Sequence, residues 1–213
     1  MTQHKDQTES YDHDTITKPI SHKERSATMQ ARLIEATLTA LSKHGYHGAS
    51  LSVILKEAGV SRGAWSHHFK SKKELVAKAA ESILQHAIGE AKKAATNLKA
   101  AGNVTSILDF IWNNFYTGRH RDVWLEFNNA ARTDHELKER LMPILEEFHS
   151  SLDQIWLDNL RTDDTANGKM LMNLTIYFLR GLAIQSVSYD KPDYYAKLRN
   201  DWAALIEPHI RWK

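Results

Sequence analysis

Apolar residues recur along this chain at spacings of three and four, the repeat of a helix with one buried face, and rarely at the alternation of a half-buried strand. The first such run predicts a helix over about 23–43, its apolar face made of Ala27, Leu33, Ile34, Leu38 and Leu41, halted by Gly45. Ser50 then stands where a cap is needed before a short helix carrying Leu51, Ile54, Leu55 and Ala58. Gly59 breaks that helix, Ser61 caps the next one, which is expected to end near 68, and Phe69-Lys70 form a link. Ser71, with Glu74 three residues on, reads as a capping box opening a long helix through Leu75, Ala79, Ile83 and Ala87 toward 98.

Past Gly102 the helices become longer and more aromatic. One carries Ile107, Leu108, Ile111, Trp112 and Phe115, and the next Val123, Trp124 and Phe127. A long stretch over about 134–160 holds Leu137, Leu141, Ile144, Leu145, Phe148, Leu152, Ile155 and Trp156, with Pro143 predicting a kink or a break. Residues 163–168 read as a polar loop, and two further helices are expected over 169–189 and 192–211, parted by Asp190-Lys191-Pro192. The fold class is therefore all-α. A polar arm over 1–22, expected to be disordered, precedes a three-helix N-terminal unit over 23–88 and a larger helical body over 89–213.

Composition narrows this picture. Only 9 Gly and 4 Pro among 213 residues favour helix nearly throughout. Cysteine is absent, which excludes disulfides and thiolate metal sites and fits a reducing cytoplasm. No signal peptide is legible, and no run of about 18 apolar residues is seen that would span a bilayer. The formal charge of +2 hides an asymmetry. Residues 1–100 hold 15 Lys and Arg against 10 Asp and Glu, and the remainder 13 against 16, so a polyanion-binding surface is expected in the first half. The 12 His form no metal-binding spacing, and no phosphate loop or nucleophile elbow occurs, so neither a cofactor nor a catalytic site is expected.

The segment over 50–75 is the most basic short stretch, and its caps describe two helices joined by a tight turn. Gly59 permits the positive φ of that turn, Val60 plugs the angle between the helices, and Ser61 opens the second helix toward a groove. Arg62, Ser66, His67 and His68 bring hydrogen-bond donors, Gly63 and Ala64 keep the front of the helix small, and Lys72 is a candidate phosphate contact. Ser50 and Ser52, at the start of the first of these helices, complete the candidate DNA-facing set.

Gly45-Tyr46, Ser50-Leu51, Ile54, Ala58-Gly59-Val60-Ser61, Gly63, His68-Phe69, Ser71-Lys72 and Glu74-Leu75 stand in the register of the TetR family of bacterial transcriptional regulators, which the chain resembles over about 25–85. The resemblance implies double-stranded operator DNA as a partner, a homodimer reading an inverted repeat, and a small organic effector that relieves repression. It implies a dimer interface on the last two helices, for which Leu174, Phe178, Gly181, Leu182, Leu198, Trp202 and Leu205 are the candidates. It implies an effector cavity in the body, with Trp112, Phe115, Tyr116, Trp124, Phe127, Asn128, Arg132, His149, Tyr177 and Arg180 as candidate lining residues. An Arg there suits a carboxylate. The sequence departs from the family where Ser66 replaces a usual aromatic residue, where His67 replaces Tyr or Lys, and at Ala64, Trp65 and Leu55. Those departures bear on which DNA is read. Trp65 is expected to pack inward on the first helix. An effector-free DNA-binding protein and an all-helical enzyme are the alternatives.

Overall fold

A computed structural model describes residues 21–101, 103–161 and 165–212, with side chains placed for all of these except 94, 96–101, 160–169, 211 and 212. Among the described residues the chain forms α1 (His22–Gly48), α2 (Leu51–Ala58), α3 (Arg62–Ser66), α4 (Lys72–Ala101), α5 (Val104–Phe115), α6 (Gly118–Thr133), α7 (His135–Asn159), α8 (Thr165–Ser188) and α9 (Pro192–Ile206). The chain is all-α apart from a two-residue antiparallel pairing of β1 (Leu160–Arg161) with β2 (Arg211–Trp212), which ties the end of α7 to the C-terminal segment.

Local chemistry explains most boundaries. A complete capping box starts α1: Glu24 N–H donates to Ser21 Oγ at 3.2 Å, and Ser21 N–H to Glu24 Oε2 at 2.7 Å. The start of that helix corrects the expected arm, because Ser21 and His22 are already committed to it; residues 1–20 lie outside the described part. Gly45, at φ 66° and ψ 175°, leaves helical geometry and halts the long helical run as expected; one further turn follows across that kink to Gly48. At α4 the expected box is only half closed. Ser71 Oγ accepts from Glu74 N–H, but the Glu74 carboxylate accepts from Lys70 N–H instead.

Four other expectations are corrected. Pro143 does not break α7, which runs on through it. The proline sits on an exposed turn, where water can satisfy the carbonyl that lacks its donor. The loop expected over 163–168 is shorter, since α8 begins at Thr165. α9 stops at Ile206 rather than 211, because Pro208 has no N–H with which to continue the helical ladder; a 3₁₀ turn, Glu207–His209, follows. Finally, Met170–Ser188 of α8, with Arg180 its only charged residue, is long and apolar enough to cross a membrane by length and composition, at mean hydropathy 1.2. Two apolar faces cause this: one packs inward and the other is exposed.

Three buried clusters hold the molecule together. The first joins Leu33, Leu41, Ile54, Leu75 and Val76 of the N-terminal helices to Val123, Phe127 and Ala130 of α6 and to Leu137 and Leu141 of α7. The first three helices therefore rest on the body as well as on each other. The second packs α5 against α8 and α9 through Ile107, Leu108, Trp112, Leu179, Leu182, Tyr195 and Ala203. There the buried Arg199 lies 4.6 Å from the Trp112 ring centre and donates twice to Asp109 Oδ1, at 3.0 and 3.1 Å. The third, smaller cluster joins α4 to α7 through Leu84, Ala87, Ile88, Phe148 and Ile155.

Candidate functional site

Two serines and one glycine shape the N-terminal face. Ser50 Oγ accepts from Val53 N–H at 3.3 Å to start α2, and Ser61 Oγ accepts from Ala64 N–H at 3.2 Å to start α3. Between them Gly59 takes the left-handed conformation, φ 60° and ψ 39°, and Arg32 Nη2 lies where a Cβ would come within 2.8 Å. Trp65 and Val60 turn inward against the first core cluster. The outer side of α3 is thereby left open: Ser61, Arg62, Gly63, Ser66 and His67 are exposed, and nothing approaches within 4 Å of a Cβ built on Gly63. Arg62 has no ion-pair partner among the described residues, so its guanidinium is available to an anion.

Behind this face Tyr46 is the hub that joins it to the body. Its N–H donates to Glu126 Oε2 of α6 at 2.6 Å, and its hydroxyl to Asp134 Oδ2 at 3.1 Å. Lys72 Nζ donates to the Tyr46 carbonyl at 2.8 Å and lies 4.4 Å from the ring centre. Lys73 bridges Asp134 and Glu136, at 3.1 and 2.8 Å. Burial, and then the bond to Asp134, push the Tyr46 phenol up to about 12. The Leu137 backbone N–H, with Lys73 and Tyr46, holds the Asp134 carboxyl below its ordinary range. Arg119 pairs with Glu35 at 2.6 Å, a further tie between α6 and α1.

A cavity opens in the body between α4, α5, α6, α7 and α8, with about 980 Å³ of space between protein atoms, its solvent-facing mouth included. Its wall is apolar and aromatic: Ile83, Leu84, Ala87, Ile107, Phe110, Phe115, Phe148, Ile155, Trp124 and Trp156 among others. Polar groups are few, namely Tyr116, His120, Asn159 and Arg180. The Arg180 guanidinium lies 4.9 Å from the Trp124 ring centre and 5.6 Å from that of Tyr177. Burial, and then the nearby His86 and Arg119, lower the His120 pKa, so this ring is neutral at neutral pH. Burial raises the Tyr116 phenol pKa against the opposing pull of Arg180.

A row of apolar side chains on α8 is exposed. Met170, Leu174, Tyr177 and Ile184 are each half or more exposed, and Gly181 lies among them with open space above it. Tyr194 and Leu205 of α9 are likewise exposed, Leu205 at 67%.

The sequence profile of the tetR family of bacterial regulatory proteins matches residues 33–79, the stretch that builds the open face of α3. An HTH-type transcriptional regulator of Mycobacterium bovis is 30% identical over 132 residues, covering 62% of this chain and 68% of that one. The chain belongs to the TetR family. The similarity extends into the body: CymR of Pseudomonas putida, an HTH-type transcriptional regulator, is 28% identical over 182 residues, 83% of this chain and 88% of its own. The fold is shared with the crystal structure of the transcriptional regulator FadR from Bacillus subtilis in complex with stearoyl-CoA. That match has a TM-score of 0.64 and 16% identity over 85% of this chain and 99% of that one. This TetR-family protein is a DNA-binding transcriptional regulator and not an enzyme.

Measured against the sequence expectations, the reading face of this TetR-family chain needs only local revision. α3 ends at Ser66, two residues earlier than expected. Ser66 Oγ donates to the Gly63 carbonyl at 2.8 Å, so its proton is already engaged. His68 is half-buried, its Nδ1 3.5 Å from Ser26 Oγ of α1, whereas His67 is exposed. The Lys72 ammonium is turned onto Tyr46. Ser50 and Ser52 share a bond of 2.9 Å at the outer start of α2.

The cavity needs larger corrections. Phe115, Tyr116, Trp124 and Arg180 line it as expected, but six other candidates do not. Trp112 is buried against Tyr195 and Arg199. Phe127 seals the junction with α1. Asn128 is exposed and donates to the Trp124 carbonyl, and Arg132 is exposed on the last turn of α6. His149 and Tyr177 lie outside the wall, their rings 6.4 Å apart. His120, Trp156 and Asn159 were missed. Of the candidate interface residues, Leu174, Gly181 and Leu205 are exposed, whereas Leu182 is buried. Phe178 stacks on Trp202 at 5.1 Å, and Trp202 Nε1 donates to Thr175 Oγ1.

Proposed function

We propose that this regulator is a homodimeric repressor of an inverted-repeat operator, released when a small apolar ligand enters the cavity. The observation that carries the proposal is the double duty of α6. His120 and Trp124 form cavity wall, while Val123, Phe127 and Ala130 of the same helix pack beneath the reading helices, and Glu126 holds the Tyr46 N–H. A ligand that favours one setting of α6 thereby favours one setting of α3, which is coupling through a shared rigid element. We assign 23–88 to DNA binding and 89–213 to effector binding and dimerisation, with α4 common to both. That FadR, a regulator of the same fold, forms a complex with stearoyl-CoA supports an effector role for this cavity.

The exposed rows on α8 and α9 support the dimer, since an exposed apolar stripe of this length is what a helix-pair interface presents. Two copies are also what an inverted repeat demands. On DNA, Arg62, Gly63, Ala64 and His67 face base edges, while Ser50, Ser52, Ser61 and Lys72 face phosphates. Ser66 joins them by giving up its bond to Gly63, and His68 by leaving Ser26. A repressor of this kind works in the cytoplasm, where the chromosome is. The test is fluorescence anisotropy on the DNA upstream of its own gene. Tight binding lost on addition of a cavity ligand supports the proposal; a ligand that fills the cavity and leaves DNA affinity unchanged sinks it.

A further inference from the structure

We propose that the cavity takes a hydrophobic monocarboxylate, its two oxygens on the Arg180 guanidinium and its apolar body between Phe115, Trp124 and Trp156. This rests on reading the cavity as a ligand site, and goes beyond it by naming the ligand's charge and the group that fixes its orientation.

Charge is the first argument. No Asp or Glu lines the cavity, and Arg180 has no ion pair among the described residues. The cation lies against the rings of Trp124 and Tyr177 and beside the Tyr116 hydroxyl instead. Its Nε is buried without any hydrogen-bond partner. A buried N–H of a cation left in that state is costly, and an anion that accepts from it relieves the cost. His120 is neutral and Tyr116 keeps its proton, so neither alters the balance of one positive charge.

Hydrogen bonding is the second. Trp156 also lines the cavity, and its Nε1 is another buried donor without a partner. Both unmet groups are donors, so the ligand must bring acceptors. A carboxylate brings two oxygens in the plane that a guanidinium fork matches. A phosphate monoester or a dicarboxylate would bring a second negative charge with nothing to neutralise it, into a wall that is otherwise aromatic and aliphatic. The remainder of the molecule must therefore be apolar, and a planar ring suits the flanking indoles.

The probes are 2-naphthoate and its uncharged isostere 2-naphthamide, with decanoate as an aliphatic acid, titrated into the full-length protein by calorimetry. DNA release is read separately by anisotropy. The naphthoate is expected to bind at least tenfold more tightly than the amide. In Arg180→Met that preference should fall to near unity while amide binding survives, and Arg180→Lys should retain part of it. Three results would overturn the proposal: an amide that binds as well as the acid in the wild-type protein, a preference that persists in Arg180→Met, or no binding by either acid. The wild-type comparison needs no variant to fold. An acid that binds through Arg180 without releasing DNA would keep this inference and refute effector-gated repression instead.

Discussion

Phe127 and Phe115 are both aromatic residues on amphipathic helices, and the sequence treats them alike. One is 2% exposed in a solid cluster under the reading helices; the other borders open space in the body. The contrast extends to their surroundings. Around Phe127 the charged groups are paired, Glu126 with Tyr46, Asp134 with Tyr46 and Lys73, Arg119 with Glu35, and one buried donor, Trp65 Nε1, has no partner among the described residues. Around Phe115 two buried donors, on Arg180 and Trp156, have no partner at all. The support under α3 is filled and its charges are paired, as the proposed reading of DNA by a fixed geometry requires. The cavity beside Phe115 is left unfilled, and under the proposed effector role its missing contacts are what the ligand supplies.

The largest expected effect tests the filled side. Phe127→Ala should destabilise the protein by about 3–5 kcal/mol in urea or thermal unfolding, as a cavity opens in a close-packed cluster. Phe115→Ala should cost less than half of that, because the space beside it already exists. Equal costs would erase the distinction between the two regions. Next comes Arg62→Ala, expected to weaken operator binding by about 1–3 kcal/mol and to relax sequence preference, as loss of a base contact does. A mutant that keeps its preference would move base reading to another residue.

Smaller effects probe the junction. Asp134 caps α7 through the Leu137 N–H, so Asp134→Ala should cost about 0.5–2 kcal/mol. Its carboxyl is held below its ordinary value of about 3.9. The stability it contributes is therefore full above that value and is lost as pH falls through the lowered one. Thermal melts of the wild type should fall more steeply below about pH 4 than those of Asp134→Asn, which keeps a capping side chain without the charge. Parallel curves would assign the acid sensitivity elsewhere. The smallest effect is on Lys72. Lys72→Ala should reduce the salt slope of DNA binding by about 1 and weaken all sequences alike, once the ammonium has swung from the Tyr46 carbonyl to a phosphate. A change in sequence preference would contradict that role.

The same contrast explains what the sequence revealed. The turn at Gly59 and the starts of α2, α3 and α4 were legible because caps and glycines act on neighbours a few residues away: Ser50, Ser61 and Ser71 each bind a backbone N–H three positions on. The cavity depends on register between distant helices. His120 and Phe127 occupy nearly the same angular position on α6, about 10 Å apart along its axis. One meets the cavity and the other meets α1, because the neighbour changes with height, and spacing alone does not carry height. Arg132 and Arg180 looked equivalent for the same reason, yet one is exposed at a helix end and the other half-buried beside Trp124. The Leu205 and Leu182 positions on α9 and α8 were likewise indistinguishable until packing exposed the first and buried the second.

The most direct test of a paired reading head is selection of random duplexes by the purified full-length protein, followed by titration of the winner at rising salt. The account predicts an enriched inverted repeat whose half-sites are about one helical turn apart, bound by two copies, with affinity falling about 10³-fold or more between 50 and 200 mM salt. No enriched sequence, or a single asymmetric site bound by one copy with affinity nearly independent of salt, would contradict it.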